Sequence, residues 1–587
     1  MRRKVFCIYE CWIKAGFLSL LVVTAYSNIA KAQTQQDLQN AIRQQKQILQ
    51  QQEQRRSQEL EELRKTAAPP GERKKLKDIP KNQSKVCIRV SQIEFEGAEL
   101  LTKELQKKVK APYVGKCITV VDILSIARAI TNWYIKQGYV TTRAFPPAQD
   151  ISSGRLLIKV VEGRTEDLTI VENGKPRQNR NTAFPQIVGK RLFIRDIEQG
   201  LDQINRLPTH DAKIRILPGT QDGDSKIQVE TKKSKWPIVT STIDDFGGSA
   251  TGKLRAGVNV RVDDIFGLYD GWTFNHTTSK PFADGKSSEE YSGNVSIPFG
   301  YSTFLFSASY FDYLSTIQGA GEAFESSGKS YNYLAEWDYV LHRDQVSKTR
   351  FASFINFKEN ENFIEGVKIS NQSRKLNIIG VRLSHSTHFM RGLADFSVSG
   401  LWGAPMFGSL KDEDIDVPSG EIKQKAEFTK FKASVKYIKP IKVGTQNFVW
   451  NVSAQGQWSP DELYSTEQIG IGGQYSVRGF RDQSVNANTG AYIRNELSWN
   501  IPLSIQSKEM KKLLGSAQLF AAYDVGWLKG NEDTLADGAM LSGVAGGIRL
   551  SGGMLFGEAV WEKALEAPSI LKKDDVFRFQ AGIKLHW

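Results

Sequence analysis

The chain has 587 residues, of which 40% are hydrophobic and 24% charged, with a formal net charge of +14. That length exceeds one ordinary core and calls for several domains, and the composition excludes a disordered chain. The lysines and arginines are scattered rather than clustered, so the charge is read as solvated or lumenal and no nucleic-acid partner is expected.

Residues 1–32 read as a secretory signal. Arg2, Arg3 and Lys4 form a basic start, Ala15 to Ala25 an apolar core, and Ala30-Lys31-Ala32 a small-x-small cleavage site. The apolar core is about 11 residues, short of the roughly 20 that a spanning helix needs. Two of the four cysteines, Cys7 and Cys11, fall within this signal. Cys87 and Cys117 remain, an even pair in a compartment that permits disulfides. Two thiols without a nearby histidine cannot complete a tetrahedral metal shell, so the pair reads as a bridge.

Residues 33–65 are rich in Gln, Glu, Arg and Leu, contain neither Gly nor Pro, and predict a helix. Leu38, Ile42, Leu49, Leu60 and Leu63 form only a thin apolar stripe, so this helix is polar nearly all round and unsuited to an oily core. Thirty helical residues reach about 45 Å, enough to pass through a barrel lumen; an exposed, fraying helix is the alternative. Residues 66–85 hold three prolines, a glycine and many lysines and read as a linker.

From 86 to 163 the order is strand, two helical segments and two strands: "CIRVSQIEFEG", "ELLTKELQKKV" and "VVDILSIARAITNWYIKQG", then "YVTTRAFPPAQ" and "RLLIKVVEG". The same order recurs over 164–235, from "DLTIVENG" through a helical pair that includes "IRDIEQGLDQINRL" to "AKIRILPG" and "SKIQVETKK". Two successive copies of one pattern indicate tandem α/β domains.

Residues 236–587 show no convincing helix. In "LRAGVNVRVD", Leu254, Ala256, Val258, Val260 and Val262 share one face while Arg255, Asn259, Arg261 and Asp263 share the other. In the last segment Phe577, Phe579, Ala581, Ile583, Leu585 and Trp587 oppose Arg578, Gln580, Lys584 and His586. Apolar-out, polar-in alternation over about ten residues marks transmembrane β-strands, and lipid forbids an open sheet edge. The fold class is therefore mainly β: a closed antiparallel barrel of about 16 strands behind two small α/β domains and a helix.

Chemical motifs are absent or accidental. "GGSATGKL" mimics a phosphate-binding loop, but Leu254 stands where Ser or Thr should bind metal and a strand follows instead of a helix. His385 and His388 are three apart on a strand and so face opposite ways. No nucleophile–base or paired-carboxylate pattern stands out, so neither an enzyme activity nor a cofactor or metal is expected.

With signal, polar helix, tandem α/β units and barrel in this order, the chain resembles the outer-membrane transporters of two-partner secretion, the haemolysin-activator/secretion class of POTRA-bearing barrels. "GYVTTRAFPPAQDISSGRLLIKVVEG" (138–163), the pair Cys87 and Cys117, and "RDIEQGLDQINRLP" (195–208) are similar to family segments. "IGGQYSVRGF" matches its Val-Arg-Gly-Phe/Tyr motif at Val477, Arg478, Gly479 and Phe480. "FAAYDVG" matches the companion strand motif at Phe520, Asp524 and Gly526.

The resemblance implies POTRA domains in the periplasm that receive the N-terminal secretion domain of a large unfolded exoprotein, and a pore that passes it outward. The clients of such a pore are haemolysins, adhesins, haem-binders or contact-dependent toxins. It also implies contact with outer-membrane lipid and insertion by the barrel-assembly machinery through the terminal strand ending in Trp587. An insertase that assembles other barrels and a passive porin are the competing readings. The loop 460–490 is expected to fold into the lumen. Leu519, Ala521, Tyr523, Val525 and Trp527 alternate toward lipid, so Asp524 faces inward between the small residues Ala522 and Gly526. There Arg478 can offer it a forked pair of hydrogen bonds, the pairing that the resemblance also implies.

Overall fold

A computed structural model describes residues 41–64, 86–177, 182–234, 237–318, 323–415, 423–502, 507–530 and 538–586. The signal 1–32, residues 33–40 and 65 of the expected helix, the linker 66–85 and Trp587 lie outside the described residues.

In the first α/β unit the strand Gln92–Glu96 runs parallel to Arg155–Val161, which pairs antiparallel with Arg143–Phe145. The helix Val120–Gln137 covers this sheet. Ile123, Ile126, Ala127, Ile130 and Tyr134 recur at helical spacing and bury against Leu156, Ile158 and Val160. A capping box between Thr119 and Asp122 starts the helix, and Gly138, at φ 104°, ends it in the left-handed region that favours glycine. A second ladder, Cys87–Val90 with Lys116–Thr119, was not foreseen as a strand pair; the Cys87–Cys117 disulfide links its two strands, with Cα atoms 5.4 Å apart.

The second unit departs from the expected repeat. The strands Arg164–Glu172, Asp224–Lys233 and His210–Pro218 pair with the first two parallel and the last antiparallel. A single helix, Ile194–Asn205, is present among the described residues instead of a helical pair. Residues 182–190 turn instead, because Pro185 cannot donate a helical bond and Gly189 takes φ 80°.

The barrel closes sixteen antiparallel strands from Ile238–Asp244 to Asp575–His586, the two end strands pairing with each other. Its alternation follows from the solvent on each side. Phe577 is 70% exposed on the outer surface, whereas its neighbour Arg578 is 5% exposed and turned inward. One element corrects the expectation of no helix beyond residue 236: Lys508–Leu514 is helical, capped by Ser507, on the side of the barrel that carries the α/β units. At seven residues it is too short for its periodicity to register.

Candidate functional site

Two elements occupy the lumen, one polar and one largely apolar. Helix 41–63 runs along it, with the Gln45 Nε2 donating to Ser326 Oγ (2.8 Å) near the outer end and the Arg64 Nη2 donating to Glu336 Oε2 (2.5 Å) near the end facing the α/β units. Between them Arg55 pairs with Glu290 (2.9 Å), and Glu61 accepts from Lys436 Nζ (2.6 Å). Gln45, Gln50, Gln52 and Arg56 are buried, so the polar circumference faces a polar wall instead of water.

The second element is the segment between the strands Gln446–Trp458 and Gly490–Ile501. It turns inward and forms a small hairpin, Ile469–Ile471 against Val485–Ala487. Ile469, Ile471, Val477, Phe480 and Val485 bury together against inward barrel residues such as Leu528 and Leu541. Gln54 of the helix donates to Gly470 O (3.0 Å), so the helix and loop touch. Lys358 of the wall joins them: its Nζ donates to Glu53 of the helix (2.9 Å) and to Glu467 of the loop (2.8 Å). Glu467 also accepts from Lys430 Nζ at 2.6 Å.

At the loop tip the structure brings Arg478 and Asp524 together. Arg478 Nε donates to Asp524 Oδ2 (2.6 Å), Nη2 to Oδ1 (2.8 Å) and the backbone N to Oδ2 (3.1 Å). Both side chains are buried, and such a pair persists because the fork satisfies both carboxylate oxygens. Gly479 holds φ 98°, and a Cβ there would meet the backbone of Lys563 and Ala564 at 2.4–2.5 Å. A Cβ on Gly526 would lie 2.6 Å from Ile471 Cγ2 and 3.0 Å from Val477 Cγ2, so this glycine leaves the space that the loop occupies. Val477 and Phe480 are fully buried in the loop cluster.

Phe520 does not join the motif directly. Its ring lies under the Arg549 guanidinium (4.7 Å), Arg549 donates to Glu496 (3.0 Å), and Glu496 accepts from Arg478 Nη1 (3.0 Å). Sequence reasoning missed Glu496, along with Glu562, which accepts from Gly479 N (3.0 Å), and Arg578, which donates to Phe480 O (3.0 Å). It also missed Arg481, whose Nη2 donates to Asp245 (2.6 Å). The same alternation that placed Asp524 could have found the first two, since Glu496 pairs across from Ala522 and Glu562 from Ala545 on the inward face.

The second α/β unit docks on the barrel through its helix Ile194–Asn205, which lies in the family-like segment 195–208 and begins one residue before it. Gln199 and Gln203 donate to Gly300 O (3.1 and 3.0 Å), and Asp202 accepts from Arg343 (2.5 Å) and Lys348 (2.7 Å). Beside it Asp264, in a barrel turn, accepts from Arg177 (2.6 and 2.9 Å) and Lys233 (3.2 Å). Burial pushes the Asp264 carboxyl up, but the hydrogen bonds from Arg177 and His210 and the Arg177 charge outweigh it and hold the group far below the usual carboxylate range. Glu172, His210 and Asp264 place possible ligand atoms within 4.8 Å of one another. Arg177 and Lys233 already sit against the two carboxylates, which makes this an ion-pair cluster and a poor cation site.

A closed transmembrane barrel with an occupied lumen, docked to tandem α/β units, defines a POTRA-bearing outer-membrane transport barrel. Residues 223–550 match the haemolysin secretion/activation protein family ShlB/FhaC/HecB, 88–163 match the ShlB-type POTRA domain, and 164–218 match a POTRA domain. The chain is 33% identical over 491 residues to the outer membrane transporter CdiB of Escherichia coli, covering 83% of this chain and 81% of that protein. It is 28% identical over 497 residues to the hemolysin transporter protein ShlB of Serratia marcescens, covering 83% and 85%. The solved structure of CdiB from Escherichia coli superposes with a TM-score of 0.81 at 30% identity, covering 91% of this chain and 98% of that one. The protein belongs to the haemolysin secretion/activation family, the outer-membrane transporters of two-partner secretion, with its POTRA domains on the periplasmic side.

Proposed function

We propose that helix 41–63 and the inward loop together form the resting plug of a secretion pore, and that transport begins when the helix withdraws into the periplasm. The observation that carries this reading is Lys358, whose one ammonium binds the helix through Glu53 and the loop through Glu467. Withdrawal lets water into the lumen to hydrate the groups that part, so these hydrogen bonds are exchanged rather than lost and the helix is held without being fused to the wall. Its C-terminal end faces the periplasm, and the Pro/Lys-rich segment 66–85 is a tether long enough to let it leave.

The two POTRA domains receive the secretion domain of a large exoprotein by strand addition at a sheet edge, where backbone hydrogen bonds accept varied sequence. The client then threads the lumen unfolded. Its folding outside the cell removes the unfolded chain from the equilibrium and drives passage without nucleotide. Arg478 and Asp524 anchor the inward loop during this cycle. The apolar outer face contacts outer-membrane lipid, and the terminal strand ending at Trp587 is what the barrel-assembly machinery engages on insertion.

The test is to loosen the helix in the full-length protein with Arg55→Ala and Arg64→Ala, which remove its pairs to Glu290 and Glu336. Larger and more frequent openings in planar bilayers are expected. Conductance equal to that of the unaltered protein would refute the vacating helix.

A further inference from the structure

The lumen wall is electrically one-sided. Four adjacent strands, Ser347–Ile364, Arg374–Phe389, Gly392–Gly403 and Thr429–Val443, form one sector of the barrel. Lys358 fixes which face of this sector is inward, because it bonds the helix and loop. Alternation puts Arg350 and Ala352 on that face, and the cross-strand register carries it from Ala352 to Arg382, from Arg382 to Ser399 and from Ser399 to Lys432. Leu401 lies across from Lys430 on the same face.

 

Arg350, Lys358, Arg382, Lys430, Lys432 and Lys436 therefore share the inward face, and Asp395 is the one inward carboxylate among the described residues of these four strands. Compensation comes from outside the sector. Glu53 and Glu61 of the helix bind Lys358 and Lys436, Glu467 of the loop binds Lys358 and Lys430, and Glu336 of the neighbouring strand binds Arg382. The Lys432 ammonium makes no hydrogen bond or ion pair with any described residue. Withdrawal of the helix removes two of those carboxylates and leaves a row of cations along one side of a narrow channel, where low-dielectric walls focus the field.

We propose that this wall is an anion-binding track that holds the Asp and Glu side chains of an extended polypeptide in transit. Lys430 stays bound to Glu467 of the loop, whereas Lys432 and the Lys436 released from Glu61 are four residues apart on one strand, about 13.6 Å. Side chains on one face of an extended client recur every two residues, so carboxylates four residues apart can meet these two ammonium groups. The proposal rests on the helix vacating the lumen, and the experiment separates the two.

The full-length Arg55→Ala/Arg64→Ala protein is placed in planar bilayers under a potassium chloride gradient, and oligo-glutamate or oligo-lysine is added on the POTRA side. The reversal potential should favour chloride, and oligo-glutamate should block the current at lower concentration than oligo-lysine. Adding Lys432→Met and Lys436→Met should weaken the oligo-glutamate block about tenfold, the effect of losing two modest ion pairs. Lys432→Met alone breaks no ion pair and so serves as the variant that keeps the folded barrel; it should shift block and selectivity in the same direction. Added conductance with no chloride preference, or with equal block by the two peptides, overturns the track alone. No added conductance overturns the vacating helix and the track with it.

Discussion

Arg478→Ala removes the guanidinium that two hydrogen bonds tie to Asp524, and leaves that carboxylate buried with the backbone N–H of residue 478 at 3.1 Å and Arg494 Nε at 3.9 Å as its remaining cation. Stranding one partner of a buried pair costs about 3–5 kcal/mol. If that cost falls wholly on the docked loop, the ratio of docked to undocked loop drops by about two to three and a half powers of ten, at 1.4 kcal/mol for each. Asp524→Ala is expected to be milder, because Arg478 keeps Glu496 at 3.0 Å and is not left without a carboxylate. The double variant removes both halves, so its defect should be smaller than the sum of the two. The assay is the amount of exoprotein secreted at matched outer-membrane levels of each variant, with protease cutting within 460–490 as an independent measure of loop docking. Normal secretion by both single variants, or fully additive defects in the double, would refute the anchoring role.

Two further outcomes follow from the periplasmic side. Mass analysis of unreduced protein should find Cys87 and Cys117 linked, and replacing both with Ala should destabilise the first POTRA domain by about 3–4 kcal/mol on the chain-entropy account, read as a lower denaturant midpoint. Asp264, with its carboxyl held below the ordinary range, contributes docking stability that is present above the unfolded-state value near 4 and is lost only as pH falls through the lower folded value. Protease resistance of the junction between the second POTRA domain and the barrel should therefore stay constant from about pH 8 to 5 and decline below about pH 4. Asp264→Asn should lower that resistance at neutral pH, and a decline beginning near pH 6 would contradict the assignment to this carboxylate.

Much of the barrel was legible because lipid imposes a strict rule on each strand. The alternation of Leu519, Ala521, Tyr523, Val525 and Trp527 with Asp524 needs no partner strand to be recognised. The second POTRA unit was harder. "RDIEQGLDQINRLP" shows its helix through spacing, but the polar residues of that helix carry no sign that Gln199, Asp202 and Gln203 bind barrel turns. The expected helix before it failed because Pro185 and Gly189 break a segment whose composition is otherwise permissive. Lys358 was invisible for another reason. Its partners Glu53 and Glu467 are 305 and 109 residues away, and in sequence it is one more inward charge among many.

The division of labour between loop and helix follows from what each one buries. The loop contributes Ile469, Ile471, Val477, Phe480 and Val485 to one apolar cluster, while the helix contributes Ile48 and Leu49 to a smaller one with Phe311 and Tyr313. At about 1.5–3 kcal/mol for each fully buried side chain, the loop's share is roughly 7–15 kcal/mol and the helix's roughly 3–6, both upper estimates. The loop is in addition continuous with barrel strands at both ends and forked onto Asp524, whereas the helix joins the rest of the chain at its C-terminal side through the segment 66–85. Most of what holds the helix is polar, and polar contacts lose little when water replaces them. In the proposed cycle a client competing for the lumen therefore displaces the helix at lower cost than the loop, and the loop stays as part of the wall along which the chain passes.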